Sequence, residues 1–244
     1  MESTFDLLSG FASDFEAGTA CDVGANIGNH SRYFAEKFKR VIAFEPNQMI
    51  FEILRFNTKS LPNVTISEYA LGNFSGEAQI SGDKSNIGGF SIVPDRNLTI
   101  GELGQYLRNE LVIQVRTLDS MIEEIENLQL VKIDVEGFEQ QVLEGAKLSL
   151  VKFKPVIAFE QWPSNFVDGK SEVVDTLRKM GYVFYWHAHY STSTNKLIYS
   201  GLKWIQSLIG FKMTVVINSN NVPENHYSML IAVHESKTSK MRFC

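Results

Sequence analysis

Apolar positions along this chain follow two periods, and the switches between them mark out its elements. Short, nearly continuous apolar runs bounded by turn residues occur at Thr19–Val23, Arg40–Phe44, Val64–Tyr69, Leu130–Ile133, Pro155–Phe159, Tyr182–Trp186 and Met229–Val233. Runs of this length predict buried strands. Apolar residues at helical spacing lie between them. They predict helices over Asn29–Phe38, over Phe138–Leu143 with a stop at Gly145, and over Ser171–Met180 with a stop at Gly181. Another helix starts near Asn47, with Ile50, Ile53, Leu54 and Asn57 on one side. A strand over Val112–Arg116 leads to a helix capped by Thr117 and carrying Leu118, Met121, Ile122 and Ile125. The opening βαβαβ order predicts an α/β fold around a parallel sheet.

Three stretches depart from that alternation. Phe5, Leu8, Phe11 and Phe15 predict an N-terminal helix within residues 1–18. Residues 70–114, broken by Gly72, Gly76, Gly82, Gly88 and Gly89, predict a hairpin near Glu77–Ser81 and Phe90–Val93 plus a mobile loop. Residues 188–227 carry Leu197, Ile198, Leu202, Trp204, Ile205, Leu208 and Ile209 at helical spacing, a pattern for a lid-like or docking helix beside the site. A chain of 244 residues suits one domain spanning 1–244, with these stretches as additions to it.

Charge and composition narrow the class. A net charge of −5 opposes a nucleic-acid partner, which needs a basic face. The two cysteines, Cys21 in a strand run and Cys244 at the end, form no disulfide framework. The first residues are acidic and lack a signal peptide's basic region, and no apolar run reaches membrane-spanning length. The expected compartment is the cytoplasm.

Chemistry concentrates at Cys21-Asp22-Val23-Gly24-Ala25-Asn26-Ile27-Gly28-Asn29-His30, where a strand turns into a helix. Gly24 and Gly28 allow close backbone approach to a ligand or packing helix, and the N–H groups at the helix start are expected to be free for an anionic group. The second strand ends in Glu45-Pro46, where a carboxylate accepts hydrogen bonds from ribose hydroxyls. The spacing Asp-x-Gly-x-x-x-Gly lacks the three glycines that cradle a dinucleotide pyrophosphate. It suits S-adenosylmethionine better than NAD, so an NAD-dependent oxidoreductase is the alternative it disfavours. Asp22, Glu45, Glu68, Asp134 and Glu160 each stand at a strand end, and such a crowd of acids calls for a cation: the cofactor's sulfonium and ammonium, or a divalent metal.

With those residues in view, the sequence resembles the FkbM family of S-adenosylmethionine-dependent methyltransferases. The matching pieces are Asp22–Gly28, Ala43–Asn47, Ala70-Leu71-Gly72, Arg116–Asp119 and Lys132–Glu139. The resemblance implies a class I, Rossmann-like, doubly wound and mostly parallel seven-stranded sheet whose last strand is antiparallel. It implies O-methylation of a small-molecule acceptor such as a sugar or glycolipid. It also implies site roles: Asp22, Gly24, Ala25, Asn26 and Gly28 around the methionine part, Glu45 and Pro46 at the ribose, and Glu68, Tyr69 and Ala70 at the adenine. Asp134 either binds the cofactor's amino group or, like Glu136, acts as the base for the acceptor hydroxyl. A minority reading places a divalent metal on Asp134, Glu160 and Gln161. A nucleic-acid methyltransferase is disfavoured, because Asp134-Val135-Glu136-Gly137 replaces the Asn/Asp-Pro-Pro-aromatic run and neither cysteine is placed as a nucleophile. The histidines His30, His187, His189, His226 and His234 read first as structural or surface residues.

Overall fold

The computed structural model describes residues 17–82, 90–93, 110–187 and 216–238. Main-chain packing divides the chain into two compact units, Asp14–Ile157 and the part from Ala158 onward.

The first unit opens with β1 (Thr19–Val23), α1 (Asn29–Ala35), β2 (Arg40–Phe44), α2 (Gln48–Thr58) and β3 (Val64–Ser67). Four strands follow: β4 (Ala70–Leu71), β5 (Gly76–Gly82), β6 (Phe90–Val93) and β7 (Glu110–Arg116). They form their own sheet in the order β4-β7-β5-β6, which contains the expected β5–β6 hairpin. β8 (Leu128–Ile133), α3 (Glu139–Glu144) and α4 (Lys147–Phe153) complete the unit. β1 pairs in parallel with both β2 and β8, and β2 with β3, giving the order β8-β1-β2-β3. Every residue of β1 is buried, which explains its unbroken apolar run. Asn47 caps α2 through its Oδ1, which accepts from the N–H groups of Met49 and Ile50 at 3.0 and 3.4 Å.

Several boundaries differ from expectation for identifiable reasons. α1 stops at Ala35, although Phe38 still packs edge-on against Phe34 with ring centroids 5.9 Å apart. β3 stops at Ser67 because Ala70 and Leu71 turn away to pair with Val115 and Arg116 of β7. On α2 the buried stripe is Ile50, Phe51, Leu54 and Thr58, and Ile53 faces solvent. Thr117 does cap a helix, but only a 3-10 turn over Leu118–Met121, its Oγ1 accepting from Ser120 N–H at 3.1 Å. Sequence reading missed α4, whose exposed Leu148 and Val151 blur its apolar face. Asp119 caps it from a distance, accepting from the N–H groups of Leu148 and Ser149 at 2.9 and 2.8 Å.

β9 (Val156–Gln161) begins in the first unit, and its last four residues belong to the second. The second unit continues with β10 (Phe166–Val167), β11 (Lys170–Ser171), α5 (Glu172–Lys179), β12 (Tyr182–His187), β13 (Val216–Ser219), β14 (Tyr227–His234) and α6 (Glu235–Thr238). β12 lies antiparallel to both β14 and β13. The expected seven strands are thus β1, β2, β3, β8, β9, β12 and β14, the last antiparallel, and β13 is an addition. Ser171 caps α5 through Val174 N–H, and Val173, Val174 and Leu177 bury its apolar side. The N-terminal helix, the loop within 70–114, the helix at 197–209 and His189 lie outside the described residues. Among the described residues no helix is long and apolar enough to cross a membrane.

Candidate active site

At the end of β1 the chain passes so close to the end of β8 that only glycine fits. A Cβ on Gly24 would stand 1.9 Å from the carbonyl oxygen of Asp134, and Gly24 has φ +72°. Gly28 enters α1 at φ +89°, where a Cβ would meet Leu54 Cδ1 at 2.7 Å. Both glycines are therefore fixed by packing as well as by turn geometry. Asn26 holds the loop apex at φ +50°.

The loop spends its own donors. Gly24 and Ala25 donate to the Phe44 carbonyl at 3.1 and 2.9 Å, and Gly28 donates to Ala25 at 2.9 Å. Asn26 N–H donates to Glu45 Oε2 at 2.9 Å, and Ile27 N–H to Asn26 Oδ1 at 2.7 Å. These five N–H groups are spent because the turn closes on β2 and on itself; of the helix start, where free N–H groups are expected, they include only the N-cap Gly28.

Lys132 lies under the loop. Register places it directly opposite Asp22 on the neighbouring strand, and Asp134 two residues on shares its face. Its Nζ stands 3.0 Å from Asp22 Oδ1 and 3.5 Å from Asp134 Oδ2, and donates to the Gly24 carbonyl at 2.7 Å. Asp22 and Lys132 are both buried, and Asp22 Oδ2 accepts from Ser31 Oγ at 2.6 Å. Burial alone pushes the Lys132 ammonium down, but Asp22 and Asp134 outweigh it and hold its pKa above the ordinary value. Sequence reading called for an external cation among these acids, yet the chain supplies one itself. The signal was present: a lysine inside the apolar run Leu130–Ile133 needs a buried partner.

The four carboxylates of the first unit do not form one crowd. Asp22 lies within β1, sealed against Lys132. Glu68 is exposed one residue beyond β3. Tyr69 is half-buried beneath the Arg116 guanidinium, 4.0 Å over its ring, and Ala70 is packed with Ile113 and Val115. Glu45 is buried beside the half-buried Pro46, and its two oxygens accept one backbone N–H each, from Asn26 and Asn47, both at 2.9 Å. Burial raises its carboxyl above the usual range, and these two hydrogen bonds pull against that shift. Each oxygen keeps a further lone pair for a ligand hydroxyl.

After β8 the chain runs through the half-buried Asp134, whose N–H donates to the Val23 carbonyl at 3.1 Å, to the exposed Glu136 at φ +50° and Gly137 at φ +93°. Glu139, which sequence reading passed over, pins this turn. Its buried carboxyl accepts from Gly137 N–H at 3.1 Å, and burial raises its pKa.

In the second unit, Glu160 Oε1 lies 3.2 Å from His226 Nε2. Gln161 is fully buried, and its amide oxygen accepts from Ser171 Oγ. The residues of the metal reading, Asp134 against Glu160 and Gln161, fall in different units. Among the described residues, no group of three or more His, Cys, Asp or Glu could hold a metal ion. His30 is half-buried against Phe34, its pKa lowered first by burial and then by Lys132. His234 Nδ1 is 2.9 Å from Ser236 Oγ.

Comparison with known proteins follows the same residues. Hexuronic acid methyltransferase AglP of Haloferax volcanii is 32% identical over 139 residues, 56% of this chain and 53% of AglP. Methyltransferase sdnD of Sordaria araneosa is 23% identical over 168 residues, 58% of this chain and 65% of sdnD. The chain thus spans between half and two thirds of the length of these relatives. A solved FkbM methyltransferase from Methylobacillus flagellatus KT covers 59% of this chain and 32% of its own at 21% identity, with a TM-score of 0.40, a likeness too distant to inform the site. The methyltransferase FkbM domain matches residues 22–184, from the buried Asp22 to the middle of β12, and this chain belongs to that family.

Proposed function

We propose that this chain transfers a methyl group from S-adenosylmethionine to an oxygen of a sugar or related small molecule. One observation carries the reading: the Asp22–Gly28 turn uses its own N–H groups on Phe44, Ala25, Asn26 and Glu45, and leaves a carboxylate beside it. Such a turn has no donors at Gly24–Gly28 with which to cradle a pyrophosphate. A buried carboxylate with open lone pairs suits a ribose diol. When bound, S-adenosylmethionine supplies an electrophilic methyl on a sulfonium. Glu45 accepts the ribose hydroxyls, and Gly24, Ala25 and Asn26 present backbone to the methionine part. Asp134 takes the amino group in this reading, because it stands half-buried at the end of β8 beside the glycine loop, where Lys132 already holds it. Glu136, exposed on the same turn, then serves as the base for an alcohol acceptor. Aligning acceptor oxygen and methyl supplies most of the rate in such a displacement. The name of AglP gives its acceptor as a hexuronic acid, which supports the sugar class.

Calorimetry with S-adenosylhomocysteine and with NAD tests the reading. Heat is expected from the first and none from the second, and the reverse result would overturn the assignment. Turnover should survive EDTA, since Lys132 already neutralises the acids of the loop and Ser171 occupies the Gln161 oxygen. Activity lost in chelator and restored by Mg²⁺ would revive the metal reading.

A further inference from the structure

The second unit carries a cluster that the donor reading leaves unused. The ring of His226 lies flat on the indole of Trp162, with centroids 4.1 Å and planes 19° apart. Glu160 Oε1 meets His226 Nε2 at 3.2 Å along the edge of this slab. Trp162 keeps 44% of its surface exposed, although a large apolar ring favours burial. The side chains of His226 and Glu160 are 42% and 20% exposed.

Exposure here does not come with slack. The N–H of Trp162 donates to Asn165 Oδ1 at 2.7 Å, which closes the 3-10 turn Pro163–Asn165 on the indole's own backbone. His226 precedes Tyr227, which is fixed twice: its hydroxyl donates to the Pro223 carbonyl at 2.8 Å, and its ring packs edge-on to Trp186 at 5.7 Å. Among the described residues, Glu160 Oε2 and His226 Nδ1 have no protein partner. The result is an aromatic platform held through its backbone, with two polar atoms that no described residue occupies.

We propose that Glu160, Trp162 and His226 form a carbohydrate subsite on the second unit, which takes a pyranose ring. A pyranose has an apolar C–H face and a rim of hydroxyls. The indole matches the first, and the carboxylate and imidazole match the second. The base of a nucleotide could also stack on the slab, but its phosphates are disfavoured beside a carboxylate on a chain of net charge −5. A neutral ring with vicinal hydroxyls is the better match. Pre-set side chains also spare such a weakly held ligand the ordering cost of binding.

Saturation-transfer NMR on the full chain tests this, using the methyl glycosides of glucose, galactose and mannose as probes and uridine as the planar-base control. Spectra are taken with and without S-adenosylhomocysteine, so that a sugar entering a ribose pocket is recognised by its displacement. At least one glycoside should receive saturation that S-adenosylhomocysteine does not remove. Trp162→Ala should abolish that signal, Trp162→Phe should keep it, and Glu160→Gln should weaken binding roughly tenfold. If Trp162→Ala fails to fold, as circular dichroism would reveal, Glu160→Gln and Trp162→Phe carry the test. The subsite is overturned if no glycoside gives a signal, if the signal ignores these variants, or if uridine competes it away. Calorimetry with S-adenosylhomocysteine on the same samples reports the donor reading separately. Sugar binding without that heat would sink the donor assignment and leave the subsite standing.

Discussion

Two regions of this molecule hold a carboxylate against a group that can carry positive charge, and they do so on opposite terms. Around Asp22, Lys132 and Asp134, the charges are buried or half-buried, the ammonium has several partners, and the glycine loop closes over it. Around Glu160, Trp162 and His226 a single carboxylate–imidazole contact sits half in water on an exposed indole. In the first arrangement the charges hold one backbone geometry, and removing Lys132 leaves the buried Asp22 stranded. In the second they hold little of the fold and stay open to a ligand. Each region is tuned by how much water it keeps, since the same ion pair is weak when solvated and becomes indispensable once buried.

The sharpest way to break this comparison is to remove one charge from each region. Lys132→Met leaves Asp22 buried without its cation, and breaking a buried pair in this way costs about 3–5 kcal/mol. His226→Gln, at a half-exposed pair, should cost under about 1 kcal/mol. Urea denaturation of the two variants beside the parent measures both. Equal losses would show that burial does not separate the two regions. Part of the Lys132→Met loss should return when Asp22→Asn is added, because the stranded charge is then gone.

A second test moves from stability to ligand affinity within the first region. Glu45 accepts Asn26 and Asn47 and, in the proposed function, the ribose hydroxyls as well. Glu45→Ala should weaken S-adenosylhomocysteine by an amount on the order of 2–3 kcal/mol, the usual size for a charged acceptor to two hydroxyls. Unchanged affinity in calorimetry would remove Glu45 from the ribose and leave it as a clamp on the loop.

How much of this was legible in the sequence depends on whether a residue's role is local. The strands around Asp22 and Glu45, the glycine turn and the helix start near Asn47 could be read because each rests on neighbours within a few positions. Lys132 was legible only in half: a lysine in an apolar run calls for a buried partner, but that the partner is Asp22 comes from pairing across more than a hundred residues of chain. The end of β3 was placed two residues too far, at Tyr69 instead of Ser67, because the chain there is already turning towards the pairing of Ala70 with Val115 in a different sheet. Glu139 looked like an ordinary acid in a helix's first turn, and only the return of its carboxyl to Gly137 gives it a role. His226 and Trp162 are 64 positions apart and gave no shared signal in the sequence, yet they stack face to face.

The smallest expected effect concerns pH and the buried carboxylates of the first unit. Burial raises the carboxyl of Glu139 above its ordinary value of 4.5, and Glu45 is shifted in the same direction for the same first cause. A raised pKa means that the folded state binds its proton more tightly than the unfolded chain does. The stability this confers is complete below the unfolded pKa and is lost as pH rises through the folded one. Glu139→Gln keeps an acceptor for the Gly137 N–H but cannot ionise. The variant should therefore gain stability relative to the parent as pH rises from about 4 towards neutrality, with Glu45 left to supply the remaining slope. Urea midpoints measured at several pH values decide the matter. A Glu139→Gln curve running parallel to the parent would mean that this carboxyl is solvated in the working protein, and that the turn after Asp134 is held by something other than Glu139.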